Sequence, residues 1–129
     1  MVSLLIVSHS AQLAAGVKEF AEQVAGGKVR IAAAGGAADG SLGTSVDQIQ
    51  ERLRQVASPD GTLVLVDLGG AVLSVEMAIE ALGMAGVQIS DAPLVEGAYL
   101  AAIEASAEGA TLAQVAAAAL QARELIKVH

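Results

Sequence analysis

The chain has 129 residues, a net charge of −7 at pH 7 and no cysteine. It is therefore long enough to bury a core without cross-links, and neither disulfides nor thiolate metal sites are possible. The acidic charge and the absence of a basic stripe exclude nucleic-acid binding. No apolar stretch reaches the ~20 residues of a membrane span, and the N-terminus lacks the basic region of a signal peptide, so we expect no membrane association and a cytoplasmic location.

Short β-branched runs alternate with longer helical patterns, which predicts a parallel sheet covered by helices. The first strand is predicted at residues 3–8, the first helix at about 10–25 and the second strand at about 28–33. The inward stripe of the first helix, at helical spacing, is predicted to be Leu13, Val17, Phe20 and Val24. A glycine-rich loop over residues 34–44 then leads into a second helix, which opens with the capping pattern Ser45-Val-Asp-Gln48.

The third strand, residues 62–67, is an apolar run that ends in a carboxylate, and Gly69-Gly70 turns the chain into a third helix. The inward stripe of this helix is predicted to be Val72, Val75, Ile79 and Leu82. A fourth strand is predicted around residues 92–95, a fourth helix at about 97–107 and a last helix from Thr111 to about residue 126. Residues 1–129 are thus predicted to form a single domain of the α/β class, a doubly wound, mainly parallel four-stranded sheet of order 2-1-3-4 with helices on both faces.

Two polar residues lie at the ends of the predicted central strands. His9 comes directly after the first strand, and Asp67 is the last residue of the third. The carboxyl ends of two adjacent parallel strands meet at the switch point, where such sheets bind ligands. Taken alone, His9 would be interpreted as a helix-capping or boundary residue and Asp67 as an N-cap. Their joint position favours a functional pair.

The pair has the chemistry of a phosphoryl carrier. A carboxylate that accepts one ring N–H of an imidazole leaves the other ring nitrogen free to attack phosphorus, and it offsets the positive charge that grows on the ring. Backbone amides of Gly69, Gly70 and Ala71 at a helix start suit phosphoryl oxygens. Further donors are expected from Ser10 and from Gly36 and Thr44 of the glycine-rich loop.

Competing motifs are absent or weak. The chain has no P-loop and no dinucleotide fingerprint, and with only two histidines, one of them the terminal His129, no metal site is predicted. No bound cofactor is expected. Glu96 is interpreted as a carboxylate at a helix start, and a role at the strand ends stays open.

Four segments carry a resemblance to a known family. They are Val7-Ser-His-Ser10, residues 34–45, Asp67-Leu-Gly-Gly-Ala-Val-Leu-Ser74 and Pro93-Leu-Val-Glu-Gly-Ala-Tyr99. In this order they resemble the phosphotransferase subunit of phosphoenolpyruvate-dependent dihydroxyacetone kinases, within the mannose-type IIA superfamily of the bacterial phosphotransferase system. Sugar-transporting mannose-type IIA domains usually have His-Gly and a Trp-containing segment where this chain has His9-Ser10 and Leu68-Gly69. The family more often has Ser at the position of Gly70.

The resemblance implies that His9 accepts a phosphoryl group from the phosphocarrier protein HPr and that Asp67 orients the ring. It further implies transfer to ADP, held on a separate nucleotide-binding kinase subunit that phosphorylates dihydroxyacetone, and a homodimeric state. Two alternatives stay open: a IIA domain that serves a mannose-type sugar permease, and a non-catalytic regulator controlled by phosphorylation.

Overall fold

The computed structural model describes residues 1–129, in which four strands pair into one parallel sheet with helices on both faces. In chain order the elements are β1 (Ser3–Ser8), α1 (Ala11–Ala25), β2 (Ile31–Gly35), α2 (Val46–Val56), β3 (Thr62–Val66), α3 (Gly69–Leu82), β4 (Val87–Ile89), α4 (Leu94–Ala105), α5 (Leu112–Leu120) and a 3₁₀ helix (Gln121–Glu124). The strand order β2-β1-β3-β4 confirms the predicted fold class and topology. None of the helices combines the length and the apolar character needed to cross a lipid bilayer.

The two central strands are apolar on both faces, because helices cover each side of the sheet. Alternate side chains point to opposite faces, so Leu4 and Ile6 of β1 join a core with α1, α4 and α5. Leu5 and Val7 join a second core with α2 and α3. Continuous burial of β1 therefore places its end, and the residue that follows it, at a fixed point on the edge of the sheet.

The predicted fourth strand was wrong in position. The structure has β4 at Val87–Ile89, where it pairs with β3, and residue 94 already begins α4. Between them Ser90 forms a turn in which its hydroxyl accepts a hydrogen bond from the Ala92 amide at 3.1 Å. Pro93 has no amide hydrogen to donate to a strand, and it lies instead at the N-cap of α4.

The predicted stripe of α1 was also displaced. The residues that face the sheet are Ala14, Val17, Ala21 and Ala25. Small side chains at these positions let the helix approach the sheet closely, so Leu13 and Phe20 remain more than two-fifths exposed, and Phe20 stacks on Tyr99 of α4 with ring centroids 5.5 Å apart. In α3 the fully buried positions are likewise Ala71, Val75 and Ala78, while Val72, Ile79 and Leu82 are half-buried.

The cap predicted at Ser45 is present, and Ser10 is a further cap that was not predicted. Ser10 caps α1 and Ser45 caps α2, each accepting a hydrogen bond from the amide three residues later at 3.2 Å. The reciprocal pair of bonds that defines a capping box occurs at Thr111 and Gln114, at the start of α5. The second strand begins at Ile31 rather than residue 28, and α5 ends at Leu120 before the 3₁₀ helix.

Candidate phosphoryl-carrier site

Strand register brings His9 and Asp67 together. Val7 of β1 pairs with Val66 of β3, and the Asp67 amide continues the ladder by donating to the Val7 carbonyl at 3.2 Å. Asp67 therefore lies beside Ser8, one residue from His9. The ring Nδ1 of His9 is 3.0 Å from Oδ1 of Asp67, although the two residues are 58 positions apart in the chain.

The Asp67 carboxylate has hydrogen-bond donors on both oxygens. Oδ2 accepts from the Ser8 hydroxyl and the His9 amide, each at 2.9 Å. Oδ1 accepts from the Leu68 amide at 2.7 Å as well as from the His9 ring. Partial burial of Asp67 by itself raises the pKa of its carboxyl, but the hydrogen bonds from His9, Ser8 and Leu68 outweigh it and lower the pKa below 3.8.

An ionised carboxylate has no proton to donate, so the proton of the Nδ1···Oδ1 bond belongs to the His9 ring. In the neutral imidazole this fixes the tautomer with a proton on Nδ1 and a lone pair on Nε2. A third of the His9 side chain is exposed, against 13% of Asp67. The Asp67 carboxylate is therefore mostly buried, while the partly exposed His9 ring presents Nε2 as the nucleophile.

The start of α3 lies directly against Nε2. A methyl group placed on Gly70 would lie 3.4 Å from Nε2, so the first turn of α3 borders this nitrogen. The residue before the helix, Leu68, provides no side-chain cap, and the amides of Gly69 and Gly70 donate to no acceptor within the chain. These amides are available to an anion on Nε2.

The amides of two other predicted phosphate ligands are already engaged. The Ala71 amide donates to the Leu68 carbonyl at 3.0 Å, and the Gly36 amide donates to the Ser8 carbonyl at 3.3 Å. Both residues therefore hold the site together in this state. Their contact with phosphate stays a prediction, as does that of Gly69 and Gly70.

Ser10 follows His9 directly, and Thr44 lies in the glycine-rich loop. Ser10 caps α1, so its oxygen accepts from the Leu13 amide while its hydroxyl hydrogen remains free to donate. Gly43, before Thr44, donates its amide to the His9 carbonyl at 2.9 Å, which ties the glycine-rich loop to the histidine. Phosphate binding by these hydroxyls also stays a prediction.

Two serines contribute to the site and were not predicted to do so. Ser8 donates to Asp67 and also accepts from the Ser10 amide at 3.0 Å, so it braces the turn that carries His9. Ser74 shares a hydrogen bond with Thr44 at 2.6 Å, which joins α3 to the glycine-rich loop. Ser74 lies one helical turn after Gly70, and that spacing was the available signal.

A groove of about 450 Å³ opens next to the His9–Asp67 pair. It runs from Asp67, Leu68 and Gly69 to the segment between β4 and α4. Asp91 stands at its exposed side and is paired with Arg123. No three His, Cys, Asp or Glu side chains lie close enough together to hold a metal ion.

Glu96 lies elsewhere. It is in the first turn of α4, as the interpretation as a helix-start carboxylate requires, and it lines a different cavity with Phe20 and Tyr99. The ammonium of Lys127, 2.5 Å away, lowers the pKa of the Glu96 carboxyl. His129 is exposed at the end of the chain.

Comparison with known proteins agrees with the fold and the motifs. The family model EIIA-man, described as the PTS system fructose IIA component, matches residues 3–116. A crystal structure of the unknown-function protein EF1359 superposes with a TM-score of 0.81 at 38% identity and covers 93% of each chain.

The curated relatives are named as phosphoryl donor subunits of dihydroxyacetone kinases. The phosphoryl donor subunit DhaM of phosphoenolpyruvate-dependent dihydroxyacetone kinase 2 from Listeria innocua is 36% identical over 81% of this chain and 86% of its own length. The Escherichia coli K12 subunit of the same name is 42% identical over 96% of this chain, which spans only 27% of that longer protein. These matches confirm the resemblance that the four motifs carry, and the chain belongs to the EIIA-man family of phosphotransferase-system IIA components.

Proposed function

We propose that this chain is a phosphotransferase component that carries a phosphoryl group on Nε2 of His9. The observation that supports this most directly is the bond from Nδ1 to Asp67, which leaves Nε2 as the free ring nitrogen next to two unpaired amides. The proposed donor is HPr. The proposed acceptor is ADP, held by the nucleotide-binding subunit of a dihydroxyacetone kinase, and this chain itself binds no cofactor. The printed names of the relatives, which describe phosphoryl donor subunits, support this choice.

The proposed reaction has two in-line displacements. In the first, the Nε2 lone pair of His9 attacks phosphorus, and the new N–P bond forms as the bond from phosphorus to the donor breaks. The ring then carries a positive charge, which Asp67 offsets without taking the Nδ1 proton. In the second, an oxygen of the ADP β-phosphate attacks the same phosphorus, the N–P bond breaks, and the ring returns to its neutral form.

The site suits a group that must leave as easily as it arrives. Neutral amides at Gly69 and Gly70 hold phosphoryl oxygens without a fixed cation. A Lys or Arg in the same place would stabilise the phosphorylated state and slow the second step. No Lys or Arg occurs in the segments 40–46 and 67–75 that surround His9.

Labelling tests the proposed carrier residue. The protein is incubated with labelled phosphoenolpyruvate, enzyme I and HPr, and we expect an acid-labile adduct on the wild type and on His129→Ala. The adduct should be absent from His9→Ala. Label that persists in His9→Ala would assign the phosphoryl group to another residue.

A second candidate function is supply of a mannose-type sugar permease, and the description of the matched family as a fructose IIA component favours it. Transfer of label from His9 to an ADP-loaded kinase subunit, but not to a mannose-type IIB protein, selects the kinase. Transfer of label to the mannose-type IIB protein, but not to the kinase subunit, selects the permease. Label that moves to neither protein favours the third possibility, a regulator controlled by phosphorylation.

The homodimeric state is part of the same proposal, and the family resemblance supports it. Sedimentation equilibrium over a range of concentrations tests it, with a mass of twice the 12.8 kDa chain as the expected result. A mass of one chain throughout that range would contradict it. The cytoplasm as the site of action stays a prediction.

A further inference from the structure

Ser8 is a polar residue at the end of an apolar strand. It is the last residue of β1, and none of its surface is exposed to solvent. The other buried polar residues of the chain are Ser3, Thr62 and Ser90. A buried hydroxyl costs free energy unless it is hydrogen-bonded, so the partners of Ser8 indicate its role.

Both hydrogen bonds of the Ser8 hydroxyl lead to the site. Its oxygen accepts from the Ser10 amide at 3.0 Å, and its hydrogen is donated to Oδ2 of Asp67 at 2.9 Å. A hydroxyl has a single hydrogen to donate, so the direction of both bonds is fixed. Ser8 therefore joins the carboxylate to the backbone of the residue that follows His9.

The plane of the Asp67 carboxylate depends on its hydrogen bonds. The last torsion of an aspartate side chain is broad, because it joins a tetrahedral carbon to a planar group, so rotamer preference alone does not set this plane. Two donors on Oδ2, the Ser8 hydroxyl and the His9 amide, hold the plane while Oδ1 lies 3.0 Å from Nδ1 of the ring. Without the hydroxyl only one donor on Oδ2 would remain, and the carboxylate would be freer to rotate.

We propose that Ser8 is a positioning residue for phosphoryl transfer: its buried hydroxyl holds the Asp67 carboxylate in the plane that keeps a proton on Nδ1 of His9. This inference rests on the proposed function, and it gives a role to a residue that the phosphoryl group does not touch. Ser8 has no exposed surface, and its one hydroxyl hydrogen is donated to Asp67. It therefore acts on Nε2 only through the carboxylate and the ring.

The charge that develops during transfer makes this alignment important. When Nε2 binds phosphorus the ring becomes cationic, and a carboxylate already aligned with the Nδ1 proton offsets that charge without reorganising. Partial burial raises the pKa of the Asp67 carboxyl, and the Ser8 hydroxyl is among the donors that lower it, so the group stays ionised. With alanine at position 8, the carboxylate would have to be aligned again in each transfer.

Four variants isolate the hydroxyl. Ser8→Ala removes it. Ser8→Thr and Ser8→Val have side chains of nearly the same shape, but only threonine keeps the hydroxyl, so a comparison of the two cancels the effect of the added methyl group. Ser3→Ala is the matched control, because Ser3 is also buried in β1 and shares a hydrogen bond with Thr62 of β3 at 2.8 Å, at the end of the strand away from His9.

Two measurements report the role of Ser8. Rapid-quench labelling over a range of phosphorylated HPr concentrations separates the limiting rate of transfer from KM. Long-range ¹H–¹⁵N correlation spectra of the unphosphorylated protein show which ring nitrogen of His9 carries the proton, and they require no phosphoryl donor. We expect Ser8→Ala to lower the limiting rate about 10- to 100-fold, the range for the outer partners of a functional histidine, with KM within about twofold of the wild type. Its spectra should show a share of the tautomer with the proton on Nε2 that the wild type lacks.

Ser8→Thr should transfer the phosphoryl group at least about fivefold faster than Ser8→Val, because only threonine restores the hydrogen bond to a charged group. Ser3→Ala should match the wild type in both measurements. Equal rates for the threonine and valine variants, or a wild-type rate and tautomer in Ser8→Ala, would overturn the role of Ser8. An equal loss of rate in Ser3→Ala would overturn it too, because weaker pairing of β1 with β3 would then explain the effect. If HPr fails to label the wild type, the proposed donor is refuted, and the tautomer of Ser8→Ala still decides the role of Ser8.

Discussion

Replacement of Asp67 by Asn tests whether the carboxylate sets the tautomer of His9. The substitution keeps the size of the side chain but exchanges one oxygen for an NH₂ group. The carboxylate accepts hydrogen bonds from four donors, two on each oxygen. An amide has only one accepting oxygen, so in either orientation two of the four donors face the NH₂ group instead of an acceptor.

The structure indicates which orientation the amide adopts. With its oxygen toward the Ser8 hydroxyl and the His9 amide, it keeps both hydrogen bonds that Oδ2 accepts, and it loses the Leu68 donor and the donor on the His9 ring. The NH₂ group then donates to Nδ1 of His9. The ring proton moves to Nε2, and the nitrogen that must attack phosphorus no longer has a free lone pair.

We expect Asp67→Asn to slow phosphoryl transfer from HPr by about 10²- to 10⁴-fold, the range for an acid–base partner that is lost or a tautomer that is wrong. This corresponds to about 2.7 to 5.4 kcal/mol in the barrier. Rapid-quench labelling measures the rate, and long-range ¹H–¹⁵N correlation spectra of the His9 ring report the tautomer. Asp60→Asn, a change of the same kind at an exposed carboxylate before β3, at the other end of that strand from Asp67, should react at the normal rate. Transfer by Asp67→Asn within threefold of the wild type, or an unchanged tautomer, would refute the reasoning.

Three further predictions follow from the same geometry. Gly70→Ser should accept phosphate at a rate close to that of the wild type, because its Cβ would lie at ordinary contact distance, 3.4 Å, from the reactive nitrogen, and a much slower labelling reaction would contradict this. Hydrogen bonds lower the pKa of the Asp67 carboxyl in the folded protein, so the wild type should be more stable than Asp67→Asn above the ordinary carboxyl pKa of 3.8. This difference in the free energy of unfolding should disappear as the pH falls through the lower pKa of the folded state. Urea unfolding from pH 7 to pH 3 measures the difference, and a difference that does not change with pH would contradict the prediction. Gly35→Ala should lower the free energy of unfolding by about 3 kcal/mol or more, because its methyl group would come within 2.5 Å of a backbone oxygen at the start of α1. Gly16→Ala, in open space within α1, should raise the free energy of unfolding by about 0.5 to 1 kcal/mol. Equal urea midpoints for the two variants would contradict this prediction.

Several elements could be predicted from the sequence because local physics fixes them. The apolar runs of β1 and β3 admit only strands buried on both faces, and glycine in the left-handed conformation ends α1 at residue 26 and α3 at residue 83. Chain connectivity and right-handed crossovers then leave few strand orders. His9 and Asp67 could be paired for the same reason, since each follows a strand whose position in the sheet was already determined.

The errors have a common physical origin. The stripe predicted for α1 used the largest apolar residues, but packing against a sheet depends on how closely the backbones approach, and alanines at positions 14, 21 and 25 form that contact. The fourth strand was placed too late because Val87–Ile89 is short and only half-buried. Its pairing with Thr62–Val64 is a long-range contact that leaves little local trace.

The sequence by itself determined the class of fold, the order of the strands and the two residues that meet at the end of the sheet, because strand burial and turn chemistry are local properties. Only the tertiary structure decided which groups hold these residues in place. The hydrogen bond from the Ser8 hydroxyl to the carboxylate and the pairing of Thr44 with Ser74 depend on strand register and helix orientation, which bring distant segments to within a hydrogen bond of one another.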